Sequence, residues 1–393
     1  CFFDQSTMNK LSPTIQHVSA FKVMSVMQRA RELEHQGHKV IHMEVGEPDF
    51  SSAEPIIEAA KASLDRGFTQ YTAATGIIEL RQALAGHYQN QYGVEVDYRR
   101  ILITPGASGG LTLLANMLVG QGDGVLISDP AYPCVRNFIH LMAAEPQLMP
   151  VDVEQNFQPN LQDFEAHYRD NTCGLWLASP SNPTGTIISR ESLREASQWA
   201  RSKDLHLLVD EIYHGLHYVD DMPSVLEVDQ SAFVVNSFSK YFGMTGWRLG
   251  WIVVPPEYVE TATKLAQNLY ISASSIAQYA ALAVFEDKSK VIFEQRRTAF
   301  RERRDYLADA LDSLGFVVPS SIQGALYIYA DISKFSDDSE LFCKELLEAQ
   351  QVAITPGTDF GHYRSTSFVR IAFTTSMEDL KLGIERIRSY LGS

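Results

Sequence analysis

The sequence predicts an α/β fold: a mainly parallel sheet flanked by helices, joined to a smaller α+β unit built from both chain ends. Three observations carry this. First, runs at 101–104, 125–128, 174–178, 206–209, 233–236 and 249–254 are nearly continuous in apolar, often β-branched residues, as strands covered on both faces must be. Second, amphipathic stretches such as 108–118 and 190–203 lie between most of them. Strand–helix–strand alternation implies parallel strands with right-handed crossovers. Third, the two ends read differently. Residues 20–38 set Phe21, Val23, Met24, Val26 and Met27 among charged neighbours, a helical pattern, ahead of a strand-like 40–45. Beyond about 287 the chain is helical and charged, strand-like at 324–330 and 367–373, then helical again. The ends, 1–45 and 290–393, are expected to form the small domain and 46–289 the large one.

Composition agrees with a packed globular protein. The 393 residues suggest two or three domains at about 150 residues each. Hydrophobic residues make up 45% and charged residues 21%, which excludes a disordered chain. The net charge of −15 disfavours nucleic acid and anionic membrane as partners. Cys1, Cys134, Cys173 and Cys343 show no CxxC spacing, so they read as reduced thiols of a cytoplasmic protein rather than zinc ligands or a disulfide framework. No apolar run approaches the roughly 18 residues of a membrane span. Residues 1–7 lack the pattern of a secretory leader, and Met8 offers a natural start. No histidine pair has ligand spacing, so no catalytic metal is expected. His214 and His217 could line a site entrance, but packing is their plainer reading.

Five segments carry chemistry. Ser237-Phe238-Ser239-Lys240 follows a strand and runs on to Gly243-Met244-Thr245-Gly246-Trp247-Arg248. It places a lysine at the mouth of a parallel sheet, near glycines that admit a ligand and an arginine fork suited to phosphate. Asp210, in Val209-Asp210-Glu211-Ile212-Tyr213, ends another strand; its plainer reading is a helix N-cap. Ser179-Pro180-Ser181-Asn182-Pro183-Thr184-Gly185 reads by itself as a turn. Thr104-Pro105-Gly106-Ala107-Ser108 joins a strand end to a helix start, where backbone N–H groups favour an anion. It is neither a Walker loop nor a full dinucleotide fingerprint. Arg370, inside the apolar strand Phe368-Val369-Arg370-Ile371, needs a partner anion, either internal or from a ligand.

Taken together, in this order and spacing, these segments resemble the fold-type I pyridoxal-phosphate aminotransferases, the aspartate aminotransferase-like class I/II family, from about residue 20 to 390. The resemblance implies that Lys240 carries the cofactor as a Schiff base and shuttles the substrate Cα proton. It implies that Asp210 pairs with the pyridinium nitrogen and keeps the ring an electron sink. Tyr213 and Asn182 match donors to the ring 3-oxygen, and Tyr132 matches the ring stacked on the pyridine. Ala107, Ser108, Ser237 and Arg248 match the phosphate site. Tyr71 matches a tyrosine reaching the neighbouring subunit's phosphate, which implies a homodimer with shared sites; core packing is its plainer reading. Arg370 becomes the bidentate clamp for the substrate α-carboxylate, with Gly46 and Asn182 beside it.

Some dicarboxylate-specific relatives add an arginine after the cofactor lysine or a lysine after the phosphate loop. Here 249–295 contains no arginine and 101–135 no lysine or arginine before Arg136. A neutral or aromatic L-α-amino acid is therefore the expected donor, with a 2-oxo acid as acceptor. A C–S β-lyase would use the same motifs. A non-catalytic ligand-binding or regulatory protein on the same fold is the alternative of another class, against which retention of Lys240 argues.

Overall fold

The computed structural model describes residues 11–392; the expectations for Cys1, for residues 1–7 and for Met8 lie outside them. In chain order the strands are β1 (Ile41–His42), β2 (Ile101–Thr104), β3 (Gly124–Asp129), β4 (Glu145–Pro150), β5 (Thr172–Ala178), β6 (His206–Asp210), β7 (Phe233–Ser237), β8 (Gly250–Val253), β9 (Tyr327–Asp331), β10 (Val352–Ala353), β11 (Thr355–Pro356) and β12 (Phe368–Ala372). Seven of them build one sheet in the order β2-β8-β7-β6-β5-β3-β4. All neighbours are parallel except β8, which runs antiparallel to both β2 and β7.

Alternation along these strands feeds two cores. Ile101 and Ile103 of β2, Leu175 and Leu177 of β5, and Leu207 and Val209 of β6 face one cluster, with Leu84, Tyr88 and Trp251. Leu102, Trp176 and Leu208 face the other, with Leu111, Leu114 and Leu118 of the helix Gly106–Leu118. Each such fully buried side chain stabilises by about 1.5–3 kcal/mol relative to exposure. Two-sided burial explains why these strands read as apolar runs.

A three-stranded sheet, β11-β12-β9, is antiparallel throughout. It packs with the helices Asp287–Leu314 and Met377–Leu391 around a separate cluster that includes Phe300, Leu307, Ile328, Ile371 and Ile384. β1 pairs in parallel with β10 beside it.

One strand lies outside the sequence reading and two expected strands are corrected. β4 escaped the sequence reading because Glu145, two prolines and Gln147 are poor strand formers; it lies at the sheet edge, where proline is tolerated. The strand expected over 40–45 is reduced to Ile41–His42: Met43 O still accepts from Ala372 N at 2.8 Å, but beyond it Glu44 O accepts from Thr355 Oγ1 at 3.0 Å and Val45 O from Thr374 Oγ1 at 2.9 Å. The strand expected from 324 starts only at Tyr327, after Ala325 at φ +59°. Among the described residues, no helix is long and apolar enough to cross a membrane.

Candidate active site

Ligand sites of open α/β sheets lie beyond the carboxyl ends of the strands. A cavity of about 350 Å³ opens there, where β2, β5, β6 and β7 end. Gly46, Ala107, Ser108, Tyr132, Asn182, Asp210, Tyr213, Ser237, Lys240, Arg248 and Arg370 all line it. Of the residues given a role at the site by the resemblance, Tyr71 does not. It is 80% exposed and borders a separate open depression with Phe68, Ile78 and Tyr279, so its expected packing in a core is not met.

Lys240 is positioned from both sides. Phe238, fully buried against Trp251 with ring centroids 4.8 Å apart, pins the turn after β7. Ser237 Oγ accepts from Ser239 N at 3.0 Å and tightens it. The Lys240 Nζ then donates to Gly46 O at 2.9 Å.

The helix Gly106–Leu118 opens with Gly106 at φ +71°, and a Cβ there would lie 2.7 Å from Arg248 Nη2. Arg248 itself adopts φ +53° and donates from Nη1 to Thr245 O at 3.0 Å. A Cβ on Gly250 would come 2.7 Å from Ala107 N, so a bare backbone at β8 is what lets the helix start approach. The result is a cradle of first-turn N–H groups, serine hydroxyls and one guanidinium, an anion site by construction.

Asp210 is the last residue of β6 and no helix begins at it, so the N-cap reading is not met. Its Oδ1 accepts from Ile212 N at 3.1 Å. Burial pushes its carboxyl up to about 7, against the pull of that N–H and of Lys240. Burial likewise raises Glu211 to about 8, although Val225 N at 2.8 Å and the Ser224 hydroxyl donate to it. Tyr213 is buried and held well above its ordinary value by that burial and by Tyr327.

Arg370 sits 3% exposed in the middle of β12. Nη1 donates to Asn182 Oδ1 at 3.0 Å, which leaves the asparagine amide nitrogen to donate elsewhere. Nη2 donates to Glu44 O. Nε is buried with no partner. Among the described residues no carboxylate forms an ion pair with Arg370; a buried guanidinium with a spare donor is suited to a ligand anion.

Sequence reasoning missed Tyr327, Phe21 and Thr245, all of which line the cavity. Thr245 and Ser239 lay inside a quoted motif without a role. Tyr327 gives no local signal: it is one of two tyrosines in a largely apolar strand. His214 and His217 do not reach the entrance. They line a small cavity of about 50 Å³ behind the site, with His214 Nδ1 2.7 Å from Tyr92 Oη. Burial drives His214 down to about 3.

Residues 38–387 match the family described as aminotransferase class I and II. The chain belongs to that family. This aminotransferase is similar to a (5-formylfuran-3-yl)methyl phosphate transaminase of Methanocaldococcus jannaschii, 36% identical over 384 residues, 97% of this chain and 99% of the other. It is similar to a valine–pyruvate aminotransferase of Mycobacterium tuberculosis, 36% identical over 96% of this chain and 97% of that one. Among solved structures, an aminotransferase from Mycobacterium tuberculosis superposes with a TM-score of 0.94 at 36% identity, covering 98% and 99% of the two chains. The family acts on amino and oxo acids, is generally dimeric and generally depends on pyridoxal phosphate. The site residues fit that group. The cradle at Gly106 and Arg248 suits its phosphate, the buried Asp210 its ring nitrogen, and the Lys240 amine its aldehyde.

Proposed function

We propose that this aminotransferase takes a neutral or aromatic L-α-amino acid as donor and a 2-oxo acid as acceptor, with pyridoxal phosphate held through Lys240. The observation that carries the donor class is the lining of the cavity. Among the described residues its cations are Lys240, Arg248 and Arg370, each with a role in the reading, while Phe21, Val23, Met24, Val45 and Ile212 supply apolar wall. Among the described residues lining the cavity, no further cation remains to neutralise a second substrate carboxylate.

In this reading, Ala107, Ser108, Ser237 and Arg248 would hold the phosphate. Tyr132 would cover one ring face, and Asp210 would meet the ring nitrogen. Tyr213 and the Asn182 amide would donate to the ring oxygen. When bound, the cofactor supplies the electron sink for the pair left as the Cα–H bond breaks. Arg370, with Asn182 fixed beside it, would clamp the α-carboxylate and so orient that bond. Lys240 Nζ would take the Cα proton. The division at about 46 and 289 belongs to the same proposal: it puts Lys240 and Arg370 on opposite walls and implies closure around substrate. The exposed face of Phe68, Tyr71 and Ile78 supports a homodimer in which Tyr71 reaches the partner's phosphate site.

Single amino acids added to the pyridoxal-loaded protein test the reading. A change in visible absorbance with neutral or aromatic donors is expected, and a response confined to aspartate would defeat the donor class. Pyruvate and ammonia released from cystathionine without an acceptor would instead make it a β-lyase.

A further inference from the structure

Tyr327 begins β9, and Arg370 lies on the adjacent strand β12. In their register Tyr327 faces Ala372 and Arg370 faces Tyr329. The two residues are therefore diagonal neighbours on one face of the sheet, within reach of long side chains. The Tyr327 ring lies 4.1 Å from the guanidinium carbon of Arg370. Its hydroxyl is 2.8 Å from the hydroxyl of Tyr213, which lies in the turn past β6. The two rings meet edge to face at 5.9 Å. Space for this hydroxyl exists because residue 46 is glycine: a Cβ there would sit 1.6 Å from Tyr327 Oη. The same glycine's carbonyl holds Lys240 Nζ at 2.9 Å. Tyr327 is 2% exposed, so these contacts are made away from water.

We propose that Tyr327 is a positioning residue of the transamination site, its ring fixing the plane of Arg370 and its hydroxyl donating to Tyr213. The proposal rests on the functional reading above and deepens it. A phenol carries one proton. If Tyr213 gives its own to the cofactor's ring oxygen, the 2.8 Å contact requires Tyr327 to be the donor. A donated bond makes Tyr213 the better donor in turn, by polarisation along the chain. Ring and hydroxyl thus serve different partners and can be separated by substitution.

Tyr327→Phe removes the hydroxyl and keeps the ring. The visible band of the pyridoxal-loaded protein should still titrate, with its midpoint raised about threefold or more in proton affinity, because a weaker donor stabilises the anionic ring oxygen less. KM for the amino acid to which the wild type responds most should change less than about twofold, since the ring face remains. Tyr327→Leu removes the face as well and should raise that KM about tenfold. An unchanged titration midpoint in Tyr327→Phe overturns the role of the hydroxyl. An equal rise in KM for both variants overturns the role of the ring. A wild type with no pyridoxal band at all overturns the functional reading itself, and this inference with it; thermal unfolding midpoints within a few degrees of wild type confirm that each variant is folded.

Discussion

The seven-stranded and the three-stranded sheet face one cavity, but they furnish it from different parts of their strands. The large sheet uses the turns just past strand ends: Ala107 and Ser108 after β2, Asn182 after β5, Asp210 closing β6 and Lys240 after β7. The small sheet uses positions within paired strands, Tyr327 in β9 and Arg370 in β12. A turn fixes the backbone of its functional residue with neighbours close in sequence, as Ser237 and Ser239 do for Lys240, even where the side chain then reaches a distant partner such as Gly46. A buried strand residue must find partners far away, as Arg370 does at Glu44 and Asn182. In the proposed reading the turns of the large sheet carry the chemistry on the cofactor and Arg370 of the small sheet orients the substrate, with Asn182 and Tyr327 linking the two.

The largest expected effect follows on the large-sheet side. Lys240→Ala should lower the half-reaction by on the order of 10⁴-fold, because both the covalent anchor and the proton carrier are lost. Single-turnover absorbance measures it. Borohydride reduction of the wild type should also leave the pyridoxyl tag on the peptide containing residue 240; a tag on another lysine would break the assignment.

On the small-sheet side, Arg370→Leu should lower kcat/KM for amino acids by about 10²- to 10³-fold, as loss of one member of a buried charge pair does. The visible titration of the bound cofactor should hardly move. If that titration shifted as far as it does in a large-sheet variant such as Asp210→Asn, the separation of duties would fail.

That same contrast governs what the sequence reveals. Lys240, Asp210 and Asn182 are legible because each sits in a short motif at a strand end, and two-sided burial marks the strands themselves as apolar runs. Arg370 is legible as a charge where no charge belongs. Tyr327 is not, because its meaning comes from Gly46, some 280 positions away, and from Tyr213 in the turn past β6. The sequence places Gly46 beside the carboxylate clamp; the structure gives it two further duties, a carbonyl for Lys240 and room for Tyr327. β4 and the shortened β1 were hidden for a related reason, since edge position and side-chain capture of carbonyls are tertiary facts.

A smaller effect tests the buried carboxyl of the large sheet in cofactor-free protein. The folded-state pKa of Asp210, about 7, lies above its ordinary 3.8. For an acid shifted upward, the folded state holds the proton more tightly, so stability is fully present below about pH 4 and is lost as pH rises toward 7. Asp210→Asn should therefore gain thermal stability relative to wild type as pH rises from 5 to 8, by at most about 3 kcal/mol, the two units from pH 5 to 7 at about 1.4 kcal/mol per unit. Added pyridoxal phosphate should erase the advantage, because a ring cation beside the ionised carboxylate restores its partner. A constant difference across that range would show that Asp210 does not titrate there.

The smallest effect on folding belongs to the one assigned residue outside the cavity. Tyr71 is 80% exposed, so Tyr71→Phe should change the stability of the cofactor-free chain by no more than about 0.5 kcal/mol. Its influence should appear only in the assembled, loaded protein. A hydroxyl donated to the partner's phosphate site is a charge-assisted bond, and its loss should weaken pyridoxal phosphate binding about tenfold. Equilibrium dialysis measures that loss, and sedimentation supplies the oligomeric state. A dimer with unchanged cofactor affinity would remove Tyr71 from the site while leaving both sheets' duties intact; a monomer that binds the cofactor as tightly as the variant does would show that one chain completes the phosphate cradle by itself.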